Sequence, residues 1–368
     1  MKRGSRHASS VHCIVLAVVA VALCATVSTG VQAKDDHDYV IKLGYYNCDH
    51  MTAAPVAYDS GIFERLGLKV EITGTGQVPE AMAAGKMDVG YIGFVGMLQA
   101  IEKGSPMVTV ANNHKGGSKY FVVAPHIKAP ADLVGKKLGI GPAPEKRSGD
   151  WIRFAKETGI PVESKSYQVF AMADKDKYLA LKTGQLDGYW CCDPWGSMAE
   201  YEKTGRIMRT FGALPNGKWG ICCTLVVTRD FMKEHPELVK KMIVAHSQAI
   251  QLIYTQPMKV ARIFAKNYHV PEEVALMTIY RKTVGETRTL RWEMSKESYD
   301  EEVKQDIASG LVPNAPKFEE IVNTKLLAES GVPDFEGFIK AKVDPVFPYG
   351  MTYQAFKKKA EEIDRKNR

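Results

Sequence analysis

The strongest constraint on how this 368-residue chain can fold is a block that occurs twice. Residues 79–95 read Pro-Glu-Ala-Met-Ala-Ala-Gly-Lys-Met-Asp-Val-Gly-Tyr-Ile-Gly-Phe-Val, and residues 180–195 read Ala-Leu-Lys-Thr-Gly-Gln-Leu-Asp-Gly-Tyr-Trp-Cys-Cys-Asp-Pro-Trp. Gly85, Met87, Asp88, Gly90 and Tyr91 of the first copy are echoed by Gly184, Leu186, Asp187, Gly188 and Tyr189 of the second. Each copy predicts a short helix closed by a glycine, where left-handed backbone costs no side-chain clash, followed by a buried strand. The plain alternative is chance, because helix-glycine-strand punctuation is common in α/β chains. In open α/β sheets small ligands bind beyond the carboxyl ends of the strands, so residues 93–95 and 191–195 are the first candidate pocket segments.

Apolar residues make up 45% of the chain and charged residues 25%, which is the composition of a globular protein long enough for two ordinary domains. The start is different. Lys2, Arg3 and Arg6 precede an apolar run over 13–27, then Val31-Gln32-Ala33 and a charged Lys34-Asp35-Asp36. This pattern predicts a secretory signal over 1–33, cleaved after Ala33, because the apolar run is shorter than the roughly 20 residues needed to cross a bilayer. A lipid anchor on Cys24 is disfavoured by the bulky Leu23 before it. The mature chain is expected outside the cytoplasm, with no span of its own. Three of the seven net positive charges leave with the leader, and the rest are dispersed among acids, so nucleic acid is not an expected partner.

Read in order, alternating strand and helix patterns run to residue 228, and helical periodicity dominates from 229 onward. A strand over 39–46 leads into a loop carrying Asn47, Cys48, Asp49 and His50, and either Asp49 or Thr52 is placed to cap the helix that follows. Gly74-Thr75-Gly76 opens the helix of the first repeat copy, where backbone amides favour an anionic group. The strand over 222–228 is expected to carry the chain back to the first lobe. The implied organisation is a discontinuous first lobe, 34–123 plus 226–368, with a second lobe, 124–225, inserted. A ligand would lie between them, enclosed by hinge closure.

On these motifs the chain resembles the extracytoplasmic solute-binding proteins of ABC importers for nitrate, sulfonates and taurine, a superfamily shared with the thiamine-pyrimidine synthases. The resemblance rests on Gly44-Tyr45 leading to Ala53-Ala54-Pro55, the first repeat block from Glu80 to Gly90, residues 130–139, Leu186 to Trp190 with Asp193-Pro194-Trp195, and Val226 to Phe231 before His235-Pro236. It implies a type II periplasmic-binding-protein fold, α/β in two lobes with a helical C-terminal segment, and delivery of a small anionic or heteroaromatic solute to a permease with its ATPase. The ligand-binding residues it implies are Asn47, Cys48, Asp49, His50, Gln77, Gly93, Phe94, Gly141, Cys191, Cys192, Asp193, Trp195, Cys222 and Cys223.

The cysteines depart from the ordinary importer pattern. Five remain after the leader, and all fall in segments expected to face the cleft. Three readings stand together: small buried side chains, disulfides, or thiolates that coordinate a soft metal with His50. No Cys-x-x-Cys spacing supports the last, so no metal ligand and no cofactor is assigned. Asp193 is as well suited to turn chemistry as to a ligand, Asp49 to a cap and His50 to a loop. Arg288 and Arg291 could reach an anion or simply be solvated. A Ser-His-Asp set, a phosphate loop and a His-Glu-x-x-His site are absent from the sequence, so the expectation is a binding protein and not an enzyme. The alternative is a pyrimidine-synthase-like enzyme with a cysteine and histidine iron site.

Overall fold

In the computed structural model, residues 36–117, 119–214 and 216–367 are described. Their strands in chain order are β1 (Val40–Tyr45), β2 (Lys69–Gly74), β3 (Val89–Gly93), β4 (Met107–Lys115), β5 (Lys119–Val123), β6 (Lys137–Gly139), β7 (Gln168–Val169), β8 (Gly188–Cys192), β9 (Arg206–Thr210) and β10 (Ile221–Thr228). They form two five-stranded sheets, ordered β2-β1-β3-β10-β4 and β7-β6-β8-β5-β9. In the first, β1 runs parallel to β2 and β3, while β10 is antiparallel to β3 and β4. The second repeats this plan with β6 parallel to β7 and β8, and β5 antiparallel to β8 and β9. The two sheets share one topology.

The repeated block is where that equivalence is built. Helices Val78–Ala83 and Asp174–Lys182 are followed by Gly85 at φ +66° and Gly184 at φ +72°, so both glycines turn the chain in the left-handed region. The next aspartate then ties the incoming strand to its neighbour. Asp88 Oδ2 accepts from the Lys42 amide at 2.9 Å, and Asp187 Oδ2 accepts from the Lys137 amide at 2.9 Å. The aspartate amides donate back to the carbonyls of the same two lysines, at 2.9 and 2.8 Å. Chance recurrence does not reproduce such paired bonds on equivalent strands.

Sheet pairing shifts the changeovers expected from sequence. The strand over 119–123, read as the end of the first lobe's opening segment, pairs in the second sheet as β5, and the return begins at Ile221 and not at 226. An apolar strand carries no mark of which sheet it will join, because that is decided by long-range pairing. The two connections run side by side. A Cβ on Gly116 would lie 2.2 Å from the Gly212 carbonyl oxygen, and the Gly116 amide donates to the Gly220 carbonyl at 2.8 Å.

Behind the first sheet, the helix Pro236–Thr255 buries Leu238, Met242, Ile243 and Ile250 in a core with Leu43, Tyr91 and Leu225. The second sheet has its own core around Phe121, Trp151 and Phe154. The expected leader, 1–33, lies outside the described residues. Among the described residues no helix is long and apolar enough to cross a membrane.

Removing either carboxylate tie is expected to weaken the fold by about 0.5–1.5 kcal/mol, the usual net worth of a hydrogen bond whose donor stays open to water. Urea denaturation of Asp88→Ala and Asp187→Ala checks this, with Asp300→Ala, which breaks only an exposed pair with Lys296, expected to leave the midpoint unchanged.

Candidate functional site

Both sheets present strand ends to one region. The loop after β1 supplies Cys48, Asp49 and His50, the end of β4 supplies His114, the end of β8 supplies Cys192, and the start of β10 supplies Cys222 and Cys223. Strand register makes the meeting possible, since Cys223 pairs with Gly93 on one side and His114 on the other. The loop is held in place by Asn113 Nδ2, which donates to the His50 carbonyl at 2.8 Å, and by the Tyr268 hydroxyl, which donates to the Cys48 carbonyl at 2.6 Å.

The rings of His50 and His114 stack with centroids 4.3 Å apart. Cys222 Sγ lies 3.3 Å from His50 Nδ1 and 3.3 Å from Cys223 Sγ. The hydrogen bond with Cys223, together with the two histidines and against burial, holds the Cys222 thiol well below its ordinary pKa. Burial pushes Cys223 the other way, and a hydrogen bond with Cys48, followed by burial, raises Cys192. Burial opposes charge on His50, yet Cys222 and Asp49 raise it well above the usual imidazole range. His114 goes the other way, lowered by burial and by Lys282 and His50, so its ring is neutral. The shifts thus favour the thiolate at Cys222 and the imidazolium at His50.

Beneath the cluster, Lys282 Nζ stands 2.7 Å from Asp49 Oδ2, with both side chains almost wholly buried. The pair meets at charge-contact distance without a well-aligned hydrogen bond. Burial raises Asp49 to about 6 despite Lys282, which leaves it ionised at neutral pH.

Beside the cluster opens a cavity of about 520 Å³ whose lining includes Gly93, Phe94 and Cys222 from the first sheet's strand ends. Lys119, Arg147, Arg153 and Trp190 line it from the other side. Lys119 and Arg153 both pair with Asp150, at 2.9 and 3.4 Å. Glu302 and Asp306 come from the helix Lys296–Ala308. Burial, then the proximity of Asp306, pushes Glu302 up to about 8, and burial, then Asp150, pushes Asp306 to about 7.

Of the residues expected at a ligand site, Cys48, His50, Cys192, Cys222 and Cys223 converge, and Gly93 and Phe94 reach the cavity. Others do not. Cys191 is a correction: side chains alternate across a strand, so it points away from Cys192 into the apolar core with Tyr120 and Tyr189. Asp49 does lie with Cys48, His50 and Cys192, but its carboxylate serves the ion pair with Lys282 and not a helix cap. Asp193 holds its own turn, accepting from the Ser197 amide and hydroxyl at 2.8 and 2.7 Å, while its carbonyl accepts from the Asp49 amide at 3.3 Å. Trp195 stacks on Tyr178 at 5.7 Å. Asn47 and Gln77 are exposed and, like Gly141, do not line the cavity. Arg288 pairs with Asp344 at 2.7 Å and Arg291 with Glu336 at 3.2 Å, also away from it.

Sequence reasoning missed His114, Lys282, Lys119, Glu302 and Asp306. His114 alone left a signal, as the end of a polar Asn-Asn-His run closing an otherwise apolar strand. The others come from helices and strand starts whose charges look solvated in one dimension.

The NMT1-like family model matches residues 35–267. A binding protein of Brucella abortus is 27% identical over 217 residues, which is 57% of this chain and 66%, just under two thirds, of that protein. The taurine-binding periplasmic protein of Escherichia coli is 26% identical over 167 residues, 44% of this chain and 50% of that one. Among solved structures, the alkanesulfonate-binding protein SsuA of Xanthomonas axonopodis pv. citri, bound to MOPS, superposes with a TM-score of 0.61 at 16% identity, covering 77% of this chain and 98% of its own. A desulfurization enzyme, DszB, gives 0.59 at 14% identity, covering 79% and 98%. The fold is thus the two-lobed one of periplasmic binding proteins, and it also carries an enzyme.

Two measurements check the electrostatics. In chelator-treated, reduced protein, iodoacetamide at neutral pH is expected to label Cys222 before the other four cysteines, read by peptide mass spectrometry. Lys282→Met should cost about 3–5 kcal/mol by leaving Asp49 buried without its cation, and adding Asp49→Leu should restore most of it in urea unfolding.

Proposed function

Because this chain belongs to the NMT1-like family, we propose that it is the extracytoplasmic solute-binding component of an ABC importer, capturing a small solute by hinge closure and delivering it to a permease driven by its ATPase. The observation that carries the reading is the cavity of about 520 Å³ at the strand ends of two topologically equivalent sheets, lined from both. Its volume lies in the range of small-molecule sites. The adjacent glycine connections offer two closely spaced places for backbone rotation. Export through the leader over 1–33, with cleavage after Ala33, and a periplasmic location belong to the same proposal, supported by the leader pattern and the E. coli relative's name.

The solute class we propose is anionic. Lys119, Arg147 and Arg153 supply positive charge and forked donors, Asp150 offsets part of it, and the raised Glu302 opposes it little at neutral pH. A carboxyl with a pKa of about 8 is neutral at pH 7 and donates a hydrogen bond instead of repelling an oxyanion. Binding is favoured over conversion because both sequence relatives bear binding-protein names, whereas the enzyme DszB is alike in fold alone.

A thermal-shift and calorimetry screen of taurine, alkanesulfonates and nitrate is expected to give saturable stabilisation with the solute recovered unchanged. Recovery of a chemically altered solute would overturn the reading. The sign of the pH effect follows from Glu302: below about 8 it is neutral, above about 8 it is anionic. Asp306, at about 7, ionises first, so affinity for an anion should fall as pH rises through about 7 and on through about 8, and Glu302→Gln should remove the upper part of the fall.

A further inference from the structure

We propose that His50, His114, Cys222 and Cys223 form a binding site for one thiophilic closed-shell cation, Cu⁺ or Zn²⁺, through two sulfurs and two ring nitrogens. This goes beyond the solute reading and does not depend on it, since the two share only Cys222 as a common wall.

Geometry carries the argument. One donor atom from each of the four residues lies within 4.8 Å of all the others. Donors around a four-coordinate thiolate and imidazole centre sit about 3.3–3.8 Å apart, so the set needs only a small contraction to close on an ion. Cys222 Sγ already lies at such distances from Cys223 Sγ and His50 Nδ1, and Cys223 Sγ is 3.8 Å from His50 Nδ1.

His114 supplies a second, independent observation. Its side chain is 0% exposed, and neither ring nitrogen makes a well-aligned hydrogen bond among the described residues, with the Cys222 thiol in reach of the ring. Coordination gives one nitrogen a partner. The ring is held facing the thiols by its stacking on His50 and its place on β4 opposite Cys223.

The donor set fits the ion class. Thiolate and imidazole together select Cu⁺ and Zn²⁺ over the hard cations that prefer oxygen. Cys222 lines the cavity and gives the ion a route in. A second set, Cys48, Asp49, His50 and Cys192, overlaps the first at His50, but Asp49 is committed to Lys282. Binding transfers no electrons, and the protons displaced from the thiols and from the His50 ring go to solvent.

The test uses the mature protein purified anaerobically with reductant and dialysed against chelator. One equivalent of Zn²⁺, or of Cu⁺ presented by a competing chelator, is expected to remain after desalting, by elemental mass spectrometry. Co²⁺ should give a thiolate charge-transfer band and the strong visible absorption of a tetrahedral site. Cys222→Ser/Cys223→Ser should weaken affinity by more than the roughly 100-fold that loss of a supporting outer hydrogen bond can cost. His114→Gln should keep the charge-transfer band and lose the tetrahedral spectrum, while Cys191→Ser retains both. Circular dichroism of each variant separates lost binding from lost folding. The proposal is overturned if reduced protein retains none of the three ions, if it retains iron instead, or if the double serine variant binds as the parent does. A Cys222–Cys223 disulfide that persists under reductant would overturn it too. Solute thermal shifts on the same metal-free sample are read separately, so failure of either reading leaves the other standing.

Discussion

Two carboxylates organise this molecule. Asp88 and Asp187 follow a helix-ending glycine in each lobe and clamp the next strand to the first parallel strand of its sheet through the Lys42 and Lys137 amides. A side-chain oxygen accepting from a backbone amide fixes register at a point where the pleat alone would tolerate a slip. With β3 and β8 so placed, the antiparallel strands β10 and β5 pair beside them, and the ends of all four face the same region.

That region concentrates buried charge, which a fold tolerates only where each charge is answered. Lys282 answers Asp49, and Cys222 answers His50, across a space from which water is largely excluded. Burial opposes charge on both imidazoles, and different neighbours then raise the basicity of one and lower that of the other. His50 lies beside a thiolate and a carboxylate, whereas His114 lies beside Lys282 and the His50 cation. Two identical side chains thus acquire different chemistry from position alone.

The cavity next to the cluster follows a related logic. Burial opposes charge on Lys119, which keeps it through Asp150, while Glu302 and Asp306, crowded together in low-dielectric surroundings, hold theirs poorly. The result is a wall with more usable positive than negative charge despite a balanced residue count. Net charge read along the chain does not capture this, because only proximity and burial decide which carboxyl remains ionised.

The chain's own order of residues determined a good deal. The twin Gly-x-apolar-Asp blocks were legible because helix ends and buried strands leave local signatures, and the second copy differs from the first in carrying Cys191-Cys192 where the first has Ile92-Gly93 at its strand end. Cys48, His50, Cys192, Cys222 and Cys223 could be suspected for the same reason, as polarisable residues at strand ends. Tertiary structure alone decided that β5 belongs to the second sheet, that Cys191 turns into the core, and that His114, Lys282 and Glu302 join the site from remote segments. The division has one physical cause. Local backbone preference and hydrophobic period are written within a few residues, whereas sheet partnership, strand facing and the burial that sets a side chain's charge depend on contacts between residues far apart in the chain.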